Sequence, residues 1–302
     1  MVGATGFVGR ALVPVLAKRG EVVAVSRAGN APHTARVRAV AADATDDQAM
    51  RDALIGIDVV YYLVHSLGST NFTEVDRQAA ATVAREAERA NVSQIIYLGG
   101  LGDDGSDLSP HLRSRAETAA VLSEGEVPVT TLRAAVIVGH GSAGFDTIVA
   151  LVDRLPLMIA PKWVSMPTQP IAVADVVADL AAVAGRADTI GETFDLGGPE
   201  VLTYREMIEC VGHLRGRKPR IIEVPVLSPR LSSYWLHLVT PVRATVARPL
   251  VEGLRNPTLA RDDRIRRLLP RTLTPFAEAA RQALASSGRP AVDDQVGPPM
   301  GH

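Results

Sequence analysis

Cysteine is nearly absent from this chain of 302 residues, which contains only Cys210. A single thiol excludes a disulfide within the chain and fits a protein of the reducing cytoplasm. A structural zinc site needs several Cys or His ligands close together, and the sequence offers no second cysteine. The sequence therefore predicts a cytoplasmic protein without a metal site.

Two further absences narrow the class of protein. The formal net charge is -1, so the chain lacks the positive excess by which many proteins attract nucleic acid. No apolar run reaches the length of about 20 residues that a membrane-spanning helix needs. The short apolar runs 155–160 and 235–239 predict the lining of a pocket, with contact to a membrane surface as the alternative. We therefore expect neither a nucleic-acid partner nor a transmembrane segment.

What the chain does contain is a glycine-rich turn, G-A-T-G-F-V-G at 3–9, followed by a helical apolar pattern over 10–20 and a strand pattern over 21–27. Glycines let the backbone turn sharply and approach a pyrophosphate closely, and the next helix directs its free N–H groups at the phosphates. This context predicts a dinucleotide-binding turn, although a tight turn that binds nothing is the alternative. The predicted binding residues are Gly3, Thr5, Gly6, Phe7, Val8 and Gly9.

The turn stands close to Met1. A central parallel strand of about five residues should precede such a turn, and here only Met1 and Val2 do so. A strand of two residues would leave backbone groups of its neighbours unpaired. We therefore expect the natural chain to begin a few residues earlier.

Strand and helix patterns alternate through the first half of the chain. This order predicts an α/β fold of the Rossmann type, a doubly wound parallel sheet with helices on both faces. A helix over 175–183 and a strand over 192–196 continue the pattern, and Thr203 with Glu206 predicts a capped helix start. Further segments are a strand at 224–226 and helices at 234–238 and 246–254. In the first half, strands are expected at 37–40, 58–64, 94–98 and 129–132, and helices at 46–54, 72–91 and 112–123.

The pattern loosens after Gly139, where four prolines lie between 156 and 170. We expect the Rossmann domain to comprise 1–140 and about 171–198, and a smaller C-terminal substrate lobe to comprise 141–170 and 199–285. The tail 286–302 is rich in Pro, Gly and charge, which predicts disorder.

Several segments together resemble the extended short-chain dehydrogenase/reductase superfamily, within an atypical branch that includes epimerase-like proteins, NmrA-type regulators and an accessory subunit of respiratory complex I. The likeness covers about 1–285. The segments that carry it are 3–9, 42–44, 62–68, 97–102, 169–176 and 194–200.

Arg27 stands at the end of the second strand, where enzymes that prefer NAD place an acid on the ribose 2′-OH. Its planar cation suits a 2′-phosphate, so we expect NADP as the cofactor, with NAD as the alternative. The resemblance implies that Asp43, followed by Ala44, accepts the adenine amine, and that Leu63, Val64 and His65 run beside the nicotinamide end. A solvated Arg27 and a turn-forming Asp43 are the simpler interpretations.

The catalytic residues of the superfamily are all altered. His111 falls on the position of the usual Tyr, Arg115 on that of the Lys four residues later, and Gly99 with Gly100 where Ser is expected. The resemblance implies a catalytic pair in which His111 moves the proton and Arg115 binds the ribose. His65 is a second candidate proton carrier, since it lies at the end of the fourth strand.

The sequence is compatible with two classes of function. The first is an NADP-dependent oxidoreductase acting on an apolar carbonyl or quinone-like substrate, for which bulky residues of the second lobe would form a pocket. The second is a non-catalytic NADPH-binding sensor, regulator or assembly factor, consistent with the altered Tyr, Lys and Ser positions. Either could form a homodimer, and peripheral contact with a membrane is a further alternative. The bulky residues are Leu155, Leu157, Met158, Ile159, Trp163, Tyr234, Trp235 and Leu238.

Overall fold

The structure is a computed structural model that describes residues 1–65, 71–102, 109–224 and 257–288. Its helices are α1 (Phe7–Leu16), α2 (Asp47–Leu54), α3 (Phe72–Arg89), α4 (Pro110–Leu122), α5 (Ala143–Arg154), α6 (Val173–Ala182), α7 (Tyr204–Leu214), α8 (Arg264–Leu268) and α9 (Phe276–Ser287). A 3₁₀ turn spans Lys162–Ser165.

The central sheet is parallel throughout the described residues. It contains β1 (Val22–Ser26), β2 (Val37–Ala41), β3 (Val59–Tyr62), β4 (Gln94–Gly100) and β5 (Val129–Ala134), with β10 (Thr193–Leu196) at one edge. Val2 forms parallel bridges to Val25 and to Tyr62. The strand order is therefore β2, β1, Val2, β3, β4, β5, β10, which is a Rossmann arrangement.

Val2 fills the central position of the sheet. Its N–H donates to the Tyr61 carbonyl at 2.9 Å, and its carbonyl accepts from the Leu63 N–H at 3.0 Å. On the other side the Val25 N–H donates to the Met1 carbonyl at 2.9 Å. Met1 and Val2 thus pair with both neighbouring strands immediately before the glycine turn.

The other described strands are short and pair outside the central sheet. β6 (Ile137–Val138) pairs in parallel with β9 (Ile171–Ala172), and β7 (Leu157–Pro161) pairs in parallel with β12 (Arg220–Val224). The pair formed by β8 (Pro167–Thr168) and β11 (Leu202–Thr203) is antiparallel.

Three apolar cores hold these elements together. The first packs α1 and α6 on one face of the sheet and includes Leu12 and Leu180. The second packs α2, α3 and α4 on the opposite face and includes Met50 and Val83. The third joins α5, α7 and α9 around Phe145 and lies apart from the sheet. The sheet is consequently covered on both faces, as parallel sheets require.

Most predicted elements of the first half are confirmed within a few residues. α1 begins at Phe7 rather than at residue 10, and Gly99 and Gly100 are the last residues of β4 rather than its terminators. Local caps set several helix starts: Asp46 accepts from the Ala49 N–H at 3.0 Å, and Ser109 accepts from the Leu112 N–H at 3.3 Å.

The second half differs more from the expectation. A regular helix, α5, occupies part of the segment that was expected to be loose, and β12 lies at 220–224 rather than at 224–226. α9 continues to Ser287, so 286 and 287 are helical and the predicted disorder is wrong for them. The predicted helices at 234–238 and 246–254 and the tail from 289 lie outside the described residues.

No helix in the described ranges is both long enough and apolar enough to cross a bilayer.

Candidate functional site

The glycine turn lies at the carboxyl edge of the sheet, between Val2 and α1. Gly3 has φ +89°, and a Cβ at this position would lie 2.9 Å from the backbone carbon and oxygen of Leu63. A Cβ on Gly9 would lie 2.4 Å from the Gly3 oxygen and 2.7 Å from the Ala4 oxygen. Only glycine at position 3 therefore lets the turn contact the end of β3, and only glycine at position 9 lets α1 pack against the turn.

The first turn of α1 offers main-chain donors. Gly6 is the N-cap, no side chain caps this end, and no acidic residue lies in the first turn. The N–H groups at the start of a helix lack intrahelical acceptors, and the helix dipole adds positive charge there. Thr5 and Gly6 complete the turn that leads into Phe7, Val8 and Gly9, so this segment fits a diphosphate held by amide donors.

A buried hydroxyl next to the turn supports the same interpretation. Ser26 is the last residue of β1 and is 8% exposed, and its Oγ has no hydrogen-bond partner among the described residues. The Val25 carbonyl just before it accepts from the N–H groups of Gly3 and Ala4, each at 3.1 Å. An orphaned polar atom beside the cradle is suited to a ligand group.

Arg27 and Asp43 follow the ends of β1 and β2, and both are exposed. Asp43 Oδ1 accepts from the Thr45 N–H at 3.0 Å and from the Thr45 hydroxyl at 2.8 Å. The backbone bond from Thr45 is the main cause that lowers the pKa of Asp43, and the nearby charge of Arg27 adds to it. Asp43 is thus a turn former, and its adenine contact, like that of the buried Ala44, remains a prediction.

Leu63, Val64 and His65 continue from β3 along the same edge of the sheet. The backbone of Leu63 touches Gly3, as described above, and His65 Nδ1 lies 3.1 Å from Asp76 Oδ2 on α3. Burial is the main cause that lowers the pKa of His65, Arg115 lowers it further, and Asp76 offsets part of both.

Asp76 is a site residue that sequence reasoning missed. It is 2% exposed and lies on the face of α3 that carries Ala79, Ala80 and Val83. The sequence pattern that could have identified Asp76 is a carboxylate at helical spacing from these apolar residues, on the helix face that becomes buried.

Arg115 is held against β4. Its Nη2 donates to the Leu98 carbonyl at 2.7 Å, and its guanidinium lies 5.5 Å from the centre of the Tyr97 ring. The Tyr97 hydroxyl in turn donates to the Arg115 carbonyl at 3.0 Å. The Arg115 guanidinium already binds a backbone carbonyl, so in the predicted contact with a ribose it would have both partners.

His111 is the second residue of α4, and its side chain lies outside the described part of the structure. A cavity of about 210 Å³ lies between α4 and the carboxyl end of β4 and is lined by Tyr97, Gly100, Leu112, Arg115 and Arg133 among others. The structure thus brings Arg115, but not a described His111 side chain, to this space.

The bulky residues that were predicted to form a pocket divide, where the structure describes them, between the core and the surface. Met158 is 2% exposed and Leu155 packs beside it in the third core, whereas Leu157 is 49% exposed. The side chains of Ile159 and Trp163, and the whole of Tyr234, Trp235 and Leu238, lie outside the described residues.

Comparison with known proteins agrees with this geometry. Residues 3–150 match the NAD(P)H-binding family. Subunit 9 of the NADH dehydrogenase (ubiquinone) 1 alpha subcomplex, a mitochondrial protein of Arabidopsis thaliana, is 25% identical over 237 residues. That alignment covers 74% of this chain and 59% of the plant protein, so the chain spans less than two thirds of this relative's length.

Two reductases are also similar. The ceramide reductase of Caulobacter vibrioides is 27% identical over 236 residues, which cover 74% of this chain and 73% of that protein. The NADPH-dependent quinone oxidoreductase of Escherichia coli, solved with NADPH, has a TM-score of 0.72 at 21% identity and covers 92% of this chain and 97% of that one.

Residues 3–150 therefore match an NAD(P)H-binding domain, and the fold of the described residues is similar to that of the solved NADPH-dependent quinone oxidoreductase.

Proposed function

We propose that the chain is an NADPH-dependent oxidoreductase that reduces an apolar carbonyl or quinone-like substrate. The main-chain cradle carries this proposal: Gly3 and Gly9 leave no room for a Cβ, and the first turn of α1 has neither a side-chain cap nor an acid. An amide cradle of this kind suits a dinucleotide diphosphate, and the nucleotide supplies the hydride when bound.

The residues that would hold the nucleotide lie along one edge of the sheet. The turn from Gly3 to Gly9 would bind the diphosphate, Arg27 the 2′-phosphate, and Asp43 with Ala44 the adenine. Leu63, Val64 and His65 would lie beside the nicotinamide, because the backbone of Leu63 already contacts the turn.

The substrate class is supported by the names of two similar proteins, a ceramide reductase and a quinone oxidoreductase. Both names describe substrates that are largely apolar. We propose a cytoplasmic protein on the basis of its single cysteine, and a homodimer remains part of the proposal.

A second candidate function is a non-catalytic NADPH-binding sensor or assembly factor. It is favoured by Arg115, whose guanidinium binds the Leu98 carbonyl, and by Gly99 and Gly100 at the place where a serine was expected. The plant relative is named as a subunit of a larger enzyme, which is consistent with such a role.

Calorimetric titration with NADPH and NADH, followed by assays with quinones and hydrophobic ketones, tests the proposal. We expect NADPH to bind and to be oxidised in the presence of at least one of these acceptors. Binding without oxidation would favour the sensor or assembly factor. Failure to bind either nucleotide would contradict both functions.

A further inference from the structure

A buried pair of an imidazole and a carboxylate lies at the carboxyl end of β3. His65 Nδ1 and Asp76 Oδ2 are 3.1 Å apart, and their side chains are 18% and 3% exposed. His65 belongs to the segment that follows β3, whereas Asp76 belongs to α3, so the contact joins a strand end to the helix behind it. A carboxylate so deeply buried is costly unless a polar or charged partner compensates it.

The position of the pair relates it to the nucleotide cradle. Leu63, two residues before His65, has its backbone carbon and oxygen 2.9 Å from the place of a Gly3 Cβ. Leu63 therefore contacts the glycine turn, and His65, which carries the imidazole, follows it after one residue. The imidazole lies at the same sheet edge as the amide donors of α1.

We propose that His65 is the residue that gives and takes the proton in the reaction, and that Asp76 is the positioning residue that orients its ring. This inference rests on the proposed oxidoreductase function. Because Nδ1 faces Asp76, the carboxylate holds a proton on Nδ1, and proton exchange takes place at Nε2. The arrangement uses a carboxylate to fix the tautomer and orientation of a histidine, as in other acid–base sites.

The balance of the reaction is simple. When bound, the nicotinamide supplies a hydride to the carbonyl carbon of the substrate. The carbonyl oxygen takes the proton that Nε2 of the His65 imidazolium releases, which gives an alcohol and oxidised nucleotide. A quinone instead takes the hydride at one carbonyl oxygen and this proton at the other, which gives a hydroquinone. Neutral His65 then regains a proton from water.

The charged groups around His65 set the expected pH dependence. Asp76 faces it from α3 and Arg115 from α4, and burial together with Arg115 lowers the pKa of His65 below its usual value despite Asp76. Tyr62 of β3 and Tyr97 of β4 lie near these charges, and burial raises the pKa of both phenols, so they stay neutral. Proton donation needs the imidazolium, so reduction should slow as the pH rises through the lowered pKa, and oxidation should gain.

The first test measures the pKa of His65 by heteronuclear NMR in the full chain without nucleotide. Asp76→Asn removes the carboxylate that favours the imidazolium, so the pKa of His65 should fall, and Asp76→Glu should restore part of it. The exposed His33 serves as the internal reference and should not change. An unchanged pKa of His65 in Asp76→Asn would overturn the positioning role of Asp76.

The second test measures NADPH-dependent reduction of a quinone together with NADPH affinity. His65→Asn should lower the rate by about 100-fold, the scale of acid–base catalysis, while calorimetry shows NADPH binding retained. His33→Asn is the matched control and should keep wild-type activity. Circular dichroism of each variant distinguishes loss of folding from loss of the proton carrier.

The outcomes separate the two proposals. Turnover by the wild type that survives His65→Asn would overturn the role of His65 alone and leave the oxidoreductase function standing. No turnover by the wild type with any acceptor would overturn the proposed function, and the proton role with it.

Discussion

The geometry of the candidate site depends on single residues, because its main chain must approach both the ligand and neighbouring main-chain atoms closely. Gly9 shows this clearly, since its place in a helix would normally favour alanine. Here a Cβ would lie 2.4 Å from the Gly3 oxygen, whereas at Gly20 nothing lies within 4 Å and φ is outside the left-handed region. The two glycines therefore serve different purposes although both belong to the first twenty residues.

Replacing Gly9 with alanine should destabilise the chain by about 1–3 kcal/mol, the cost of forcing atoms into a packed site. The same change should weaken NADPH binding, because α1 must move away from the turn. Gly20→Ala is the matched control and should leave both quantities nearly unchanged. Urea unfolding and calorimetric titration measure them, and equal behaviour of the two variants would contradict the cradle.

Arg27 is the residue through which we expect the chain to prefer NADPH over NADH. Arg27→Ala should weaken NADPH binding by about tenfold or more, because a hydrogen bond to a charged group contributes about 1.5–3 kcal/mol. Binding of NADH should stay the same, since it lacks the 2′-phosphate.

The control for Arg27 is Arg36→Ala, which removes another exposed arginine. Arg36 precedes β2 and so lies at the amino edge of the sheet, away from the turn. Both variants are titrated with both nucleotides. An equal loss of affinity for NADPH and NADH in Arg27→Ala would show that Arg27 does not bind the 2′-phosphate.

Among the elements, α7 is the one whose start could be predicted in detail. Thr203 and Glu206 form a capping box: the Thr203 hydroxyl accepts from the Glu206 N–H at 3.2 Å, and Glu206 Oε2 accepts from the Thr203 N–H at 2.7 Å. The bond from the Thr203 N–H is the main cause that lowers the pKa of Glu206. Such a motif is local, so residues three apart suffice to specify it.

Thr203→Ala should lower the free energy of unfolding by about 1 kcal/mol, the usual cost of losing a side-chain cap. Thr203→Ser keeps the hydroxyl and should lose much less. Chemical denaturation compares the two variants with the wild type. If alanine and serine proved equally stable, the cap would not contribute.

α5 and β7 could not be predicted in the same way. The prolines between 156 and 170 suggested irregular structure, yet α5 ends at Arg154, just before the first of them. β7 is a strand only because β12, more than fifty residues later, supplies its hydrogen-bond partners. Pairing between distant segments leaves little trace in the local pattern.

On the scale of the whole molecule, the segment 257–288 is fixed to the Rossmann helices by a buried cluster of charges. Asp179 of α6 is fully buried and contacts Arg266 and Arg271, the latter at 2.8 Å. Thr274 N–H also donates to Asp175 Oδ2 at 2.8 Å. These contacts attach the last described segment to the helix that packs against α1.

Asp179→Asn should destabilise the chain by about 3 kcal/mol at neutral pH, because it leaves two largely buried arginines without their counter-charge. Burial raises the pKa of Asp179, and the two arginines offset part of that rise. The folded state therefore binds this proton more tightly than the unfolded chain does, so the wild type should gain stability relative to Asp179→Asn as the pH falls through this raised pKa.

Asp188→Asn provides the control, since Asp188 pairs with Arg186 at the surface and should cost less than about 1 kcal/mol. Hydrogen exchange should show faster opening of 257–288 in Asp179→Asn alone. Equal protection of this segment in both variants would argue against the buried cluster as its anchor.

The sequence by itself determined the glycine turn, the alternation of strands and helices, and the cap at Thr203, because each depends on residues that are near neighbours in the chain. Only the tertiary structure decided that His65 meets Asp76, that Arg115 binds the Leu98 carbonyl, and that Asp179 meets Arg266. Those contacts exist because helices packed on a sheet bring together side chains from separate elements, and a charge that is buried in this way must find its partner there.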